Sequence, residues 1–449
     1  MHIGSTATAG GLRRNVAVVG SGVAGLTAAH VLAKRDRVTL FEADERLGGH
    51  AHTQRAPLGD GTYVNIDTGF IVHNDRTYPT LLRLFAELDV ATQESDMSMS
   101  VRSDVDGLEY AGARGLGGLF PRARLATNGR YLRMLWEVTR FHRAARALLD
   151  GAADTDPDET LADFLLAHRF SDYFLEHFVK PLVAAVWSCD PAIAANYPAR
   201  YLFRFLSHHG MLTVFGSPTW RTVTGGSVQY VEKVAAGLDE VRTGVAIERI
   251  DARPDGMHLT DRSGAGTSFD AVVVAVHPRD ALAMLAEPTE LQSSVLGAMP
   301  YSVNRALLHT DTTVLPDAPR ARASWNYLIP AQRTDGVVVT YDLTRLMRIE
   351  TGSSRRFLVT LGGEGIVDPA TVLSEMTYEH PIYTPESVAA QQRLPEIASD
   401  TLAFAGAYHG WGFHEDGALS GLRAAERLGG SWEDGADVAP TRSLRVVRS

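Results

Sequence analysis

The chain has one cysteine, Cys189, and three lysines, Lys34, Lys180 and Lys233, among its 449 residues. A single cysteine excludes an internal disulfide and any cysteine-rich metal site, and no metal is expected. The shortage of lysine narrows the catalytic options, since arginine carries the positive charge. A net charge of −10 argues against nucleic acid as the main partner, because phosphate recognition needs a basic surface. No apolar run reaches the roughly 20 residues that a membrane span needs. Residues 1–14 lack the apolar core of a secretory signal, so cytoplasmic localisation is the expectation. Internal repeats and long low-complexity linkers are also absent.

What is present points first to residues 15–50. Val16, Ala17, Val18 and Val19 form a β-branched run that reads as a buried parallel strand. Gly20, Gly22 and Gly25 follow in the spacing G-x-G-x-x-G, then a helical run over 26–34 and a second strand, Arg37–Phe41, closing at Glu42. Gly20 permits the tight turn, Gly22 lets backbone approach a diphosphate, and Gly25 lets helix and strand pack closely. The diphosphate would sit at the helix N-terminus, and Glu42 would accept hydrogen bonds from ribose hydroxyls. A dinucleotide site follows from strand, turn, helix, strand and acid in register.

At this length two or more domains are the default. Residues 76–219 read as mostly helical, with amphipathic runs at 80–89, 131–149 and 161–187. Dinucleotide-type elements recur at the start, middle and end of the chain. The expected fold is therefore α/β: a discontinuous Rossmann-like dinucleotide domain (13–75, 220–290 and 395–430) with an α+β substrate domain (76–219 and 291–394). Residues 1–12 and 431–449 are expected to be tails.

Three further motifs favour flavin over nicotinamide. In Arg46-Leu47-Gly48-Gly49-His50, paired glycines admit a phosphate that Arg46 can neutralise. Thr68 and Gly69 lie in another close-approach turn. Near the C-terminus Gly406 ends a strand, and Asp416-Gly417-Ala418 opens a helix whose N-terminus can stabilise charge on a reduced flavin.

On these residues the chain resembles the flavin-dependent amine oxidase and phytoene desaturase superfamily, over 16–75, 220–278 and 401–428. Within it, the chain is similar to bacterial FAD-binding oxidoreductases found beside cyclopropane fatty acid synthase-like methyltransferases. Asp67-Thr68-Gly69-Phe70, Trp220 to Ser227, Trp325-Asn326-Tyr327 and Gly412 to Gly417 carry that narrower likeness. The resemblance implies bound FAD. Gly20, Ser21, Gly22, Ala24 and Gly25 would hold its diphosphate, and Glu42 the ribose. Arg46, Gly48, Gly49 and His50 would line the phosphate and ribityl region, and Val245 backbone would meet adenine. Gly406, Asp416, Gly417 and Ala418 would contact ribityl and isoalloxazine. Ala407 and Tyr408 leave no cysteine for a covalent link, so FAD is expected to be non-covalent, with a histidyl link left open.

Amine oxidases of the superfamily usually place a lysine near the flavin, and the comparable strand, 302–307, has none. A fatty acyl or other lipid-like substrate, undergoing desaturation or double-bond rearrangement, is therefore the leading expectation. The alternatives are an amine or amino-acid oxidase releasing hydrogen peroxide, and a non-catalytic FAD-stabilised scaffold for a partner methyltransferase. Tyr408, His409, His414 and Glu415 are the candidate catalytic residues, since aromatics could wall the flavin and the others move a proton. The competing reading makes His414, Glu415 and Asp416 a cap for the final helix. Trp325, Tyr327 and Trp411 are candidates for the substrate pocket. Cys189 beside Trp187 reads as inert packing, and run 174–187 as core or a tunnel wall. Peripheral membrane contact stays open, but no basic amphipathic helix stands out.

Overall fold

The computed structural model describes residues 13–151, 159–187, 195–212, 217–332, 337–352, 354–434 and 445–448; Cys189 lies outside them. The valine run extends as Asn15–Val19, four of whose residues are buried, as befits a strand covered on both faces. It pairs in parallel with Arg37–Phe41 on one side and Ala271–Val274 on the other. Leu402–Phe404 and Glu240–Thr243 extend the sheet at either side, so chain start, middle and end meet in one parallel layer. Part of the stretch 431–449 is not a tail. Trp432 is buried, and Arg445–Arg448 pairs in parallel with Glu240–Thr243 as the sixth strand.

Helix Val23–Leu32 starts immediately after Gly22 and lies against the last described helix, His414–Arg427. Glycine makes this approach feasible. A Cβ on Gly25 would lie 1.9 Å from the Gly20 carbonyl oxygen, and one on Gly421 would lie 2.1 Å from the Ala24 carbonyl oxygen. Asp67 ties the next turn in place. Its buried carboxylate accepts from the Ser227 N–H (2.9 Å), the Ser227 hydroxyl (2.8 Å) and the Thr53 hydroxyl (2.6 Å).

The second sheet has seven strands. In spatial order they are Val372–Pro381, Tyr301–His309, Leu358–Leu361, Val338–Asp342, Trp325–Ile329, Met99–Ser103 and Glu109–Gly112. The last two come from the region expected to be mostly helical. Each is at most five residues long and mixes charged with apolar side chains, too short to display a period. The run 161–187 is not one helix either. Leu161–Ala167 stops, Arg169 takes a left-handed φ of +52°, and the chain resumes through Asp172–Phe174 and a π-helical turn, Leu175–Val179, into Lys180–Trp187. Helix Gly129–Asp150 covers these pieces, with Phe141 touching Phe164, Phe174 and Phe203. Phe174, Val179 and Val183 join the core shared with this second, mixed sheet.

Replacing Gly421 by alanine should force the two helices apart and cost about 1–3 kcal/mol, read as a lower midpoint in chemical denaturation.

Candidate active site

A cavity of about 660 Å³ lies between the two sheets. One end is framed by Gly20 to Ala24, Glu42 and Ala275 to His277, at the carboxyl ends of three parallel strands, where ligands of such sheets bind. The other end is mainly apolar, walled by Val186, Phe205, Met211, Trp325, Val359 and Leu361, with His209 beside Phe205 and Tyr341 beside Trp325.

Of the residues expected around a cofactor, Gly20, Ser21, Gly22, Ala24, Glu42, Gly49, His50, Thr68, Gly69 and Gly406 line this cavity. Glu42 already accepts from the Ser21 N–H (2.9 Å), the Ser21 hydroxyl (2.5 Å) and the Asp44 N–H (3.0 Å), which fixes its carboxylate at the mouth. The remaining expected residues stand behind the wall. Gly25 supports the Gly20 turn, and Arg46 donates to the Gly49 carbonyl (2.8 Å), shaping the loop. Gly48 donates its N–H to the Ser21 hydroxyl (3.0 Å), and Val245 gives its N–H to the Glu42 carbonyl (2.9 Å). Asp416 accepts the Phe413 N–H (2.9 Å) as an N-terminal cap, and burial raises its carboxyl to about 7. Gly417 and Ala418 pack inside the helix pair rather than face the cavity.

The four candidate catalytic residues separate. His414 faces the cavity, stacked on Phe70 at 3.6 Å and 7°, with Nε2 3.1 Å from the Tyr230 hydroxyl. Burial pushes its imidazole down to about 3, so it is neutral at ordinary pH. Tyr408 also faces the cavity, and its buried hydroxyl has no hydrogen-bond partner among the described residues. Glu415 turns away. Its two oxygens accept the N–H groups of Thr80 (2.9 Å) and Leu81 (3.0 Å), capping helix Pro79–Glu87 rather than its own helix. His409 lies beside Tyr408 but outside the lining, neutral because burial holds it near 4. In the expected substrate pocket only Trp325 faces the cavity. Tyr327 is part of the core, and Trp411 packs against Phe205 and His208.

Sequence reasoning missed a polar group on the opposite wall. His277, Tyr301, Tyr378, Glu379 and His380 line the cavity beside His50. His277 Nδ1 is 3.0 Å from Glu379, the Tyr378 hydroxyl is 2.7 Å from that of Thr68, and the His50 and His380 rings are 5.4 Å apart. Burial lowers His380 to about 4. The closing His277-Pro278 of an apolar run was the one visible signal.

Residues 23–349 match the flavin containing amine oxidoreductase family. The chain belongs to that family. It is 27% identical over 282 residues to AofH of Mycobacterium tuberculosis, a candidate flavin-containing monoamine oxidase, covering 61% of this chain and 59% of that protein. It is 29% identical over 331 residues to the carotenoid phi-ring synthase of Streptomyces griseus, covering 68% and 61%. The chain thus spans about three-fifths of the length of these curated relatives. A CLA-producing fatty acid isomerase from P. acnes shares the fold, with a TM-score of 0.66 at 15% identity over 92% of this chain and 98% of that one.

The residues present suit the family's flavin. A Cβ on Gly22 would meet no protein atom within 4 Å, so protein packing does not demand glycine there, whereas a ligand crossing that spot would. His50 Nε2, Trp325 Nε1 and the Tyr408 hydroxyl are buried on the lining without partners among the described residues, an arrangement costly unless a polar ligand meets some of them.

Gly22→Val should therefore fold normally yet retain at least about tenfold less flavin, read from the flavin-to-protein absorbance ratio beside an unchanged melting temperature. Glu415→Gln should lose about 1 kcal/mol of stability as its cap weakens, with flavin content and flavin reduction rate unchanged.

Proposed function

We propose that this flavin-family oxidoreductase uses non-covalent FAD to dehydrogenate, desaturate or shift a double bond in a fatty acyl or similar lipid-like substrate. The observation that carries this reading is the inner end of the cavity, which is apolar and has no lysine or arginine among its described lining residues. All three lysines are engaged elsewhere: Lys34 with Glu87, Lys180 with Glu176, and Lys233 with the carbonyls of Leu88 and Asp89. A lysine beside the flavin, usual in amine oxidation, thus has no counterpart here. The kinships to a carotenoid synthase and, in fold, to a fatty acid isomerase accord with an apolar substrate.

FAD, when bound, supplies a hydride acceptor at its N5. Gly20, Ser21, Gly22 and Ala24 would hold its diphosphate at the N-terminus of helix Val23–Leu32, with Glu42 on the ribose and His50, Gly49, Thr68, Gly69 and Gly406 along the remainder. Phe205, Met211, Trp325 and Leu361 would exclude water from the reacting carbon. Neutral His414 Nε2, sharing a proton with Tyr230, and the Tyr408 hydroxyl are the groups placed to hold or move a proton. No partner protein is needed for this, although a neighbouring methyltransferase would supply methyl-branched or cyclopropane acyl chains as substrates.

Anaerobic mixing of the purified flavoprotein with unsaturated acyl lipids and, separately, with an amine panel tests the reading. Acyl lipids that are dehydrogenated should bleach the flavin, a double-bond shift, redox-neutral overall, should return isomerised lipid with the flavin oxidised, and amines should leave it oxidised, while acid precipitation should release the yellow colour into solution. Robust amine turnover with hydrogen peroxide removes the acyl reading in favour of an amine oxidase. A flavin inert to both classes, in a chain that binds the methyltransferase tightly, makes it a scaffold.

A further inference from the structure

Helix Gly129–Asp150 turns a basic and apolar stripe outward from an acidic chain. Five arginines lie on it, and its acids are Glu137 and, at its last residue, Asp150. Glu137 faces inward: it is fully buried and accepts the Ser171 N–H at 3.1 Å. Arg133 pairs with Glu137 at 3.4 Å, and the outward stripe is Leu132, Trp136, Arg140 and Arg143, at the three- and four-residue spacing of one helix face. Trp136 is 60% exposed and Leu132 41%. Leu116, 75% exposed, sits on the adjoining helix Gly115–Leu119, tied to this one by the Tyr131 hydroxyl donating to the Leu119 carbonyl (2.7 Å).

The guanidinium of Arg140 lies 4.3 Å over the Phe170 ring and 5.7 Å over Trp136, so its charge is held on the surface between apolar groups. Exposed Trp and Leu set among arginines are costly to leave in water, and duplex phosphates would offer them nothing. The interface of an anionic bilayer takes both, headgroups meeting the arginines and the acyl boundary meeting Trp136 and Leu132. Position agrees with this. The buried side of the helix, through Phe141, touches Phe178 and Phe203. The chain segments carrying those rings continue to Val186 and Phe205 on the apolar cavity wall.

We propose that this face docks the protein on the surface of an anionic lipid bilayer. The inference goes beyond the acyl-substrate reading and does not need it, because the surface is argued from charge and exposure alone.

Co-sedimentation of the flavin-loaded full chain with vesicles tests it, using phosphatidylcholine alone and an equal mixture of phosphatidylcholine and phosphatidylglycerol. Binding should appear on the mixed vesicles and weaken steeply with added salt. Joint Arg140→Glu and Arg143→Glu should lower partitioning about 25-fold or more, with flavin absorbance and melting temperature retained. Trp136→Ser, a change at an exposed position, should lower it several-fold and keeps the test decisive if the double variant folds poorly. Equal binding to neutral vesicles, no binding to either, or variants that bind like the parent would overturn the proposal. So would preferential binding of duplex DNA, or a dimer in sedimentation velocity that the same variants dissolve. No arm reads flavin reduction, so a failed acyl assay leaves the result standing.

Discussion

Backbone touching backbone at glycine is the constraint on which the remaining structure rests. Gly25 lies against the Gly20 turn, and Gly421 lies against the carbonyl of Ala24, so the first and last helices meet without intervening side chains. That contact brings strand Leu402–Phe404 and the turn after it to the same carboxyl end of the parallel sheet as the N-terminal fingerprint. The cavity exists because elements distant in sequence are drawn this close. Any side chain at these positions would separate the two walls that define its polar end.

Around that contact, ionisable groups are mostly used as structural hydrogen bonders. Asp67 is buried, and burial pushes its carboxyl up to about 6, yet three donors from Ser227 and Thr53 satisfy it. It thereby joins the end of strand Tyr63–Asp67 to the turn before helix Val228–Ala236. Because folded Asp67 and Asp416 both titrate above ordinary carboxylates, each binds its proton more tightly in the folded chain than in the unfolded one. Their contribution to stability is greatest below pH 4 and declines as pH rises towards 7, opposite in sign to that of carboxylates held by salt bridges. His50, His380 and His414 are likewise driven neutral by burial, and no lysine or arginine stands among the described lining residues of the cavity.

The parallel sheet and its glycine turn were legible because their chemistry is local. A β-branched run, a spaced glycine triplet and an acid at the next strand end each act within a few residues of one another. Glu415 was misread because its partner helix, Pro79–Glu87, is remote in sequence; only the fold reveals which N-terminus it caps. The wall of Tyr378, Glu379 and His380 escaped notice for a related reason. It depends on pairing between Tyr301–His309 and Val372–Pro381, and no motif marks that register. The strands Met99–Ser103 and Glu109–Gly112 were hidden by brevity, and the break in the run 161–187 at the left-handed Arg169 left no mark in its apolar pattern. Glu137 concealed the basic face of Gly129–Asp150, since an acid in the middle of the run makes the sequence look charge-balanced until burial removes it from the surface.

That no lysine or arginine stands among the described lining residues has a consequence for what can enter. An acyl carboxylate carried into the apolar end would lose hydration and meet no lysine or arginine in exchange, and burying an unpaired charge is strongly unfavourable. An amine would meet neutral imidazoles and aromatic faces, with Glu379 and Asp280 confined to the opposite, polar end among Gly20 to Ala24 and His277. The walls of Phe205, Met211, Val359 and Leu361 therefore select for the uncharged part of a molecule and against its ionised part. On the proposed reading, a lipid-like substrate would keep its charged group outside the apolar end and extend hydrocarbon into it, whichever carbon is oxidised.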